Sequence, residues 1–419
     1  MMRSTMKRIS LRPKPVLGVL CALAVFSLPL LAGGSSYSRF GVGDLVRYGG
    51  SRIDAMGGAG IALTGDGFLN LLNPAGVSRI SYTRFAGGFE YANLSSTDAS
   101  GSGRYAQGAF KGVSFGIPIS KDDGIALLLE ASPYSTVNYA IQSRDSILQQ
   151  DFYGTGGLSL LAIGTSYSPA KNLSLGARMN YVYGRIRQVG NFTFADPTFL
   201  NSEIQRSNFY SGFNMTLGAI YDSIGSALDF KALEPLALGF VISTPGTFSI
   251  SRQSILTTMQ STDTTSLGDG TADLPLACGF GMSYLFAGRY YVTADVYYQQ
   301  WAKAKLYGSA MPDIRNSVRY GVGFESLPQR ETESFWKRVA YRLGFFYSQT
   351  AYALNGTPIN EAFATGGLAL PIGPDARLDI GLHVGTRGTT ANGLQRDTII
   401  RLSMSLSASE VWFMNIEDE

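Results

Sequence analysis

The chain is poor in the residues most enzymes depend on. It holds one histidine, His383, in 419 residues, and two cysteines, Cys21 and Cys278. A single histidine cannot furnish a histidine-rich metal site, and a Ser–His–Asp arrangement would need unusual partners. The run "GGAG" at Gly57–Gly60 lacks the full dinucleotide-binding pattern and its strand–helix setting, and no phosphate-binding loop is present. No catalytic residue, cofactor or metal ligand is therefore expected. Charge is also scarce, at 16% Asp, Glu, Lys and Arg, against about 25% in ordinary soluble domains. Beyond residue 34 no stretch of 18 apolar residues occurs, so membrane helices are excluded.

The first residues read as a targeting segment. Arg3, Lys7, Arg8, Arg12 and Lys14 precede an apolar run from Val16 to Leu31, and Ala32-Gly33-Gly34 offers small residues for cleavage before Ser35. Residues 1–34 are thus expected to be a signal peptide. Leu20 is not the small residue that a lipidation signal at Cys21 would need. Losing the five basic residues takes the formal net charge from +3 to −2, which removes the argument for a nucleic-acid partner. Only Cys278 then remains, and no internal disulfide can form.

Glycine and aromatics are abundant: 50 Gly, 24 Phe and 23 Tyr. The aromatics fall in segments that alternate with period two. In 399–407, Ile400, Leu402, Met404 and Leu406 oppose Ile399, Arg401, Ser403, Ser405 and Ser407. In 377–385, Leu378, Ile380, Leu382 and Val384 oppose Arg377, Asp379, Gly381, His383 and Gly385. Segments 173–184, 292–299 and 339–348 behave likewise. The second face of a soluble sandwich should carry Lys, Glu and Thr; here it carries glycine, serine and isolated charges. The expected fold is all-β: a transmembrane antiparallel β-barrel of about fourteen strands over residues 81–413, followed by an acidic tail, 414–419.

Tight turns such as "SKDDG", "SPAKN", "FAGR" and "PIGPDA" alternate with longer polar segments near 191–207, 250–272, 305–315, 352–360 and 387–397. Short periplasmic turns and long outer loops are the usual asymmetry. The connections 222–235 and 327–337 are longer than this rule wants, and either carry small extra elements or mark an error in the strand count. Pro133 interrupts the third strand and marks a bulge, kink or local opening.

Residues 35–80 do not alternate. They form a glycine-rich segment of suitable size for an N-terminal plug, and a barrel of about fourteen strands has a lumen too wide for wall side chains to fill. The stretch "AMGGAGIALTGDG", continuing to "LLNPAGVSRI" (Ala55 to Ile80), resembles the N-terminal hatch of the FadL family of outer-membrane transport proteins. The opening "SSYSRFGVGDL" is more typical of its Bacteroidetes-type branch. The resemblance implies a hatch in which Asn73, Pro74, Ala75 and Gly76 form the gating turn. It implies passive uptake of hydrophobic compounds such as long-chain fatty acids, with lateral release at a kink for which Pro133 is the candidate. Phe192, Phe194, Phe199 and Leu200 would line an outer-loop groove. By alternation Arg178, Arg342, Arg377 and Arg401 face the lumen. There they can hold a ligand carboxylate or pair with acids such as Asp44, Asp54, Asp66, Asp295 and Asp379.

The expected partners are hydrophobic small molecules or fatty acids, outer-membrane lipid and the barrel-assembly machinery, with the protein acting as a monomer. The layout also resembles PorV-type barrels, which serve type IX secretion as shuttles. That role is the competing expectation. The acidic end after Trp412 and Phe413 departs from the aromatic finish common in such barrels.

Overall fold

The computed structural model describes residues 34–311, 313–329 and 332–410. The expected signal peptide, save Gly34, and the acidic tail lie outside these residues, as do Trp412 and Phe413. Fourteen antiparallel strands form the wall. They are β1 (Thr83–Thr97), β2 (Ser102–Ser120), β3 (Ile125–Arg144), β4 (Leu148–Ala170), β5 (Leu173–Phe194) and β6 (Ser202–Tyr221). Next come β7 (Leu236–Ser243, resuming as Gly246–Thr258) and β8 (Thr262–Leu274, resuming as Ala277–Phe286). The last six are β9 (Tyr290–Gln299), β10 (Ser317–Ser326), β11 (Ala340–Leu354), β12 (Thr357–Pro371), β13 (Arg377–Gly388) and β14 (Arg396–Glu410). Pairing of β14 with β1, from Glu410↔Thr83 to Arg396↔Thr97, closes the sheet on itself. No described helix is long and apolar enough to cross a membrane, so the strands make the crossing.

The two faces follow the sequence alternation. Leu343 is 65% exposed and Met179 53%, on the outward face, while Arg342 and Asn180 beside them are buried. Phe213, Tyr181 and Tyr183 stack outward as part of an aromatic girdle. The protein is a multi-pass barrel of the outer-membrane type.

Several strands run past what a bilayer requires. β4 has 23 residues, against about 9–11 for a membrane crossing. The expected loops shrink accordingly. The segment near 191–207 is strand on both sides of 195–201, and 250–272 is mostly a hairpin, Gly246–Thr258 with Thr262–Leu274. The reason is physical: above the membrane both strand faces are polar, so alternation vanishes while backbone pairing continues. The loop expected at 352–360 is a two-residue turn, with Asn355 at φ 50° and Gly356 at φ 72°, the left-handed pair that joins hairpin strands tightly. On the periplasmic side, 222–235 holds a short helix, Ile224–Leu228, and 327–339 a helical turn, Phe335–Arg338.

Residues 34–82 pass through the barrel interior in short pieces: a turn at Ser36–Arg39, a bridge at Asp44–Leu45, one helical turn at Ser51–Asp54 and another at Pro74–Val77. Ile53, Met56, Ala59, Val77 and Ala75 in this segment have no exposed surface. Inward-facing glycines of the wall receive it. A Cβ on Gly218 would overlap Asn73 and Pro74, and one on Gly176 would overlap Pro74 and Ala75. At Gly176 the wall backbone meets the backbone of the turn, and at Gly218 it meets the Asn73 and Pro74 side chains.

Gly218→Val is expected to destabilise the barrel by about 1–3 kcal/mol through overpacking, read as a lower urea midpoint. Gly366→Val is the control. Its Cβ would meet nothing nearer than 3.5 Å, so a shift within about 0.5 kcal/mol is expected.

Candidate functional site

The Asn73–Gly76 turn is assembled around two buried asparagines. Asn73 caps the Pro74–Val77 turn by accepting from the Ala75 N–H at 3.1 Å. Its Nδ2 donates to the carbonyl of Ile61 (2.9 Å) and to wall carbonyls of Ala219 and Phe240 (3.3 Å each). Pro74 suits the first position of such a turn because its missing N–H would have had no partner there. Asn70, which sequence reasoning did not single out, holds the preceding chain. It donates to Gly60 and Leu63 carbonyls and accepts from the Leu72 and Asn73 N–H groups. The turn is thus bonded to the wall as well as to itself.

Ion pairs tie the rest of the segment to the wall. Arg52 meets Glu325, which also accepts from Arg342, and Arg342 reaches Asp379. Asp54 lies 3.6 Å from Lys111, Asp44 lies 2.6 Å from Arg387, Asp66 lies 3.5 Å from Arg84, and Arg79 lies 3.3 Å from Asp222. Lys111 owes its inward direction to a bulge. Gly88 pairs with Gly112 and Phe89 with Phe110, so Lys111 is the extra residue and points to Glu90 and Asp54. Of the four arginines singled out from the sequence, Arg178 pairs with Glu130 at 2.7 Å, Arg342 with Glu325 and Asp379, and Arg401 lies 4.0 Å from Glu90. Arg377 lies against Gly67.

The wall is not uniformly paired. β2 and β3 are hydrogen-bonded only from Val113↔Ala131 to Ser120↔Ile125. Toward the outer end the two strands part, and the ladder between β3 and β4 shifts register between Pro133 and Ser135. Pro133 thus sits two residues beyond the last β2–β3 pair. The parted edge of β3 is met from inside by the N-terminal segment. Asp44 and Leu45 bridge Thr136 and Ser135, the Val46 N–H donates to Tyr134, and Ser135 donates to the Val42 carbonyl at 2.6 Å. Asn138 and Gln107 bond across the parting at 3.0 Å.

A family model described as BamG matches residues 13–417. The chain belongs to the BamG family. No curated protein matches it. Among solved structures it is similar to a FadL homologue of Pseudomonas aeruginosa, at 15% identity and TM-score 0.58, covering 87% of this chain and 98% of that one. It is also similar to the toluene transporter TbuX of Ralstonia pickettii (15% identity, TM-score 0.59, 86% and 98% covered). The toluene transporter TodX of Pseudomonas putida is alike to a similar degree (14%, 0.57, 86% and 98%). Such identities establish a shared fold.

Within this BamG-family barrel the interior is largely filled. A cavity of about 150 Å³ lies at the β3 kink, bounded by Val46, Tyr48, Leu72, Pro133, Tyr134 and the Arg178–Glu130 pair. A second, about 100 Å³, lies beside Arg47, Arg319 and Arg387. Phe192 packs edge-on against Phe152, and Phe194 lies tilted against Phe199, at the outer ends of the strands. Phe199 and Leu200 are exposed there. Sequence reasoning missed Glu325, Glu90, Lys111 and Arg387 as contributors. Alternation alone would have put Glu325 and Glu90 inside; the bulge that turns Lys111 leaves no such signature.

Glu325 is 1% exposed and serves two guanidinium groups. Glu325→Gln is expected to cost about 3–5 kcal/mol, the usual penalty for breaking a buried pair from one side, and to raise hydrogen exchange around Arg52. Urea denaturation and exchange mass spectrometry check both.

Proposed function

We propose that this barrel passes small hydrophobic compounds across the outer membrane, with the N-terminal segment as its hatch. The observation that carries this reading is the parting of β2 and β3 beside the cavity at the Pro133 kink, covered from within by residues 42–46. A compound captured among the outer aromatics would reach the cavity by the Pro133 kink and leave sideways once the Asp44–Leu45 bridge lets go. The bridge spans only two residues, and its release also parts Asp44 from Arg387. The cavity of about 150 Å³ matches the size that holds benzene in an engineered protein core, about 150 Å³. A single ring therefore suits the closed form better than a long-chain fatty acid, which would need the hatch to move first. On this reading the chain is a channel and performs no catalysis.

The family match and the interlocked lumen favour a second reading, a closed barrel working beside the barrel-assembly machinery. The type IX secretion role suggested by PorV-type barrels draws no support from the family match.

A reversible lock separates the two. Leu45 and Ser135 are antiparallel partners, with Cα atoms about 4.5–5.5 Å apart in such pairs, within disulfide range. In a Cys278→Ser background, oxidised Leu45→Cys/Ser135→Cys is expected to abolish uptake of a monoaromatic probe into liposomes, and reductant to restore it. Uptake indifferent to the lock overturns the channel reading. Poor accumulation of other outer-membrane barrels on depletion of the protein supports the second.

A further inference from the structure

Apart from Asp222, which meets Arg79 and Thr64 of the inserted segment, the two long periplasmic connections turn away from the lumen. Both fold outward. Tyr284 lies on the lipid-facing side of β8 with Phe280, Met282 and Phe286, and its hydroxyl donates to the Ala232 carbonyl at 3.0 Å. Tyr341 lies on the lipid-facing side of β11 with Leu343 and Phe345, and its hydroxyl donates to the Trp336 carbonyl at 3.1 Å. Each connection is therefore pinned over the outer surface of the wall, at the level where that surface meets the periplasm.

Between them lies the turn joining β8 to β9, and the three are linked along the rim. The Leu285 N–H donates to Pro235, and the Leu327 N–H to Arg289. The sector exposes large apolar side chains: Leu228 63%, Phe230 56%, Phe286 58% and Trp336 65%. It is continuous with the lipid-facing girdle, where Phe286, Tyr290 and Phe324 stack in series. Cations are interleaved with these rings. Arg289 stands over Tyr290 and Arg338 over Phe335, and Lys231 and Lys337 are exposed beside them. Among the described residues of these turns the acids are Asp222, which pairs with Arg79, and Asp229, Glu234 and Glu333. Aromatic rings alternating with cations at a membrane boundary are the chemistry of the headgroup layer: rings lie among the upper acyl carbons and the cations reach phosphate.

We infer that residues 222–235, 286–290 and 332–339 form a one-sided anchor that binds phospholipid headgroups of the periplasmic leaflet. Trp336, Phe230 and Leu228 enter the interface, and Lys231, Arg289, Lys337 and Arg338 contact the phosphates. The other periplasmic turns, at 121–124, 171–172 and 372–376, are short, so the anchor grips one side of the barrel. This inference does not depend on what the lumen carries.

The test uses the full mature chain in bilayers of phosphatidylcholine, with or without phosphatidylglycerol, some lipids brominated on the upper acyl carbons. The Trp336 signal is the difference between the protein and Trp336→Phe. Strong quenching of that signal by bromolipid, with shielding from acrylamide in water, is expected. Equal quenching in both bilayers assigns the phosphate common to the two lipids; stronger quenching with phosphatidylglycerol assigns the anionic headgroup. Replacing Lys231, Arg289, Lys337 and Arg338 by glutamine should remove most of the quenching while the barrel still folds, and unchanged quenching overturns the cation contacts. A Trp336 open to acrylamide and untouched by bromolipid overturns the anchor, and is the result expected of a surface that faces a periplasmic protein instead.

Discussion

Every backbone N–H and C=O that enters lipid must find a partner within the protein, and the rest of this structure depends on that constraint. It forces the sheet to close, which β14 does on β1. Closure with fourteen strands leaves a lumen that the wall side chains cannot fill. The chain solves this with its own first residues, and the wall makes room with inward glycines such as Gly176 and Gly218. Without those glycines a wall side chain would stand where the Asn73–Gly76 turn now sits, and that turn could not reach the carbonyls of Ala219 and Phe240.

Charge fixes the segment in register. Pairs such as Arg52–Glu325, Asp54–Lys111 and Asp44–Arg387 each join an inserted residue to a wall residue. Buried pairs of this kind contribute modest net stability, yet each is costly to break from one side. They act along the whole inserted segment, and Asp44–Arg387 holds the very bridge that covers the parted β2 and β3 edges.

The alternation in 173–184, 292–299, 339–348, 377–385 and 399–407 was legible because lipid and lumen sort side chains strictly at each strand. Strand extensions above the membrane were not, because water on both faces removes the sorting. The Asn355-Gly356 turn was readable in principle: Asn-Gly accepts two left-handed residues at little cost. Luminal arginines could be placed by parity, but their partners could not, since Glu130 lies 48 residues from Arg178 and Asp379 lies 37 from Arg342.

The sequence by itself determined that this chain is a membrane barrel of about fourteen strands with a non-strand N-terminal segment. Period-two patterning and the lack of long apolar runs are local properties that any window of sequence reveals. Only the tertiary structure decided which charges meet, where the wall parts, and that the long periplasmic turns lean toward lipid. Those facts depend on closure, which brings residues hundreds of positions apart, such as Asp44 and Arg387, within hydrogen-bonding distance.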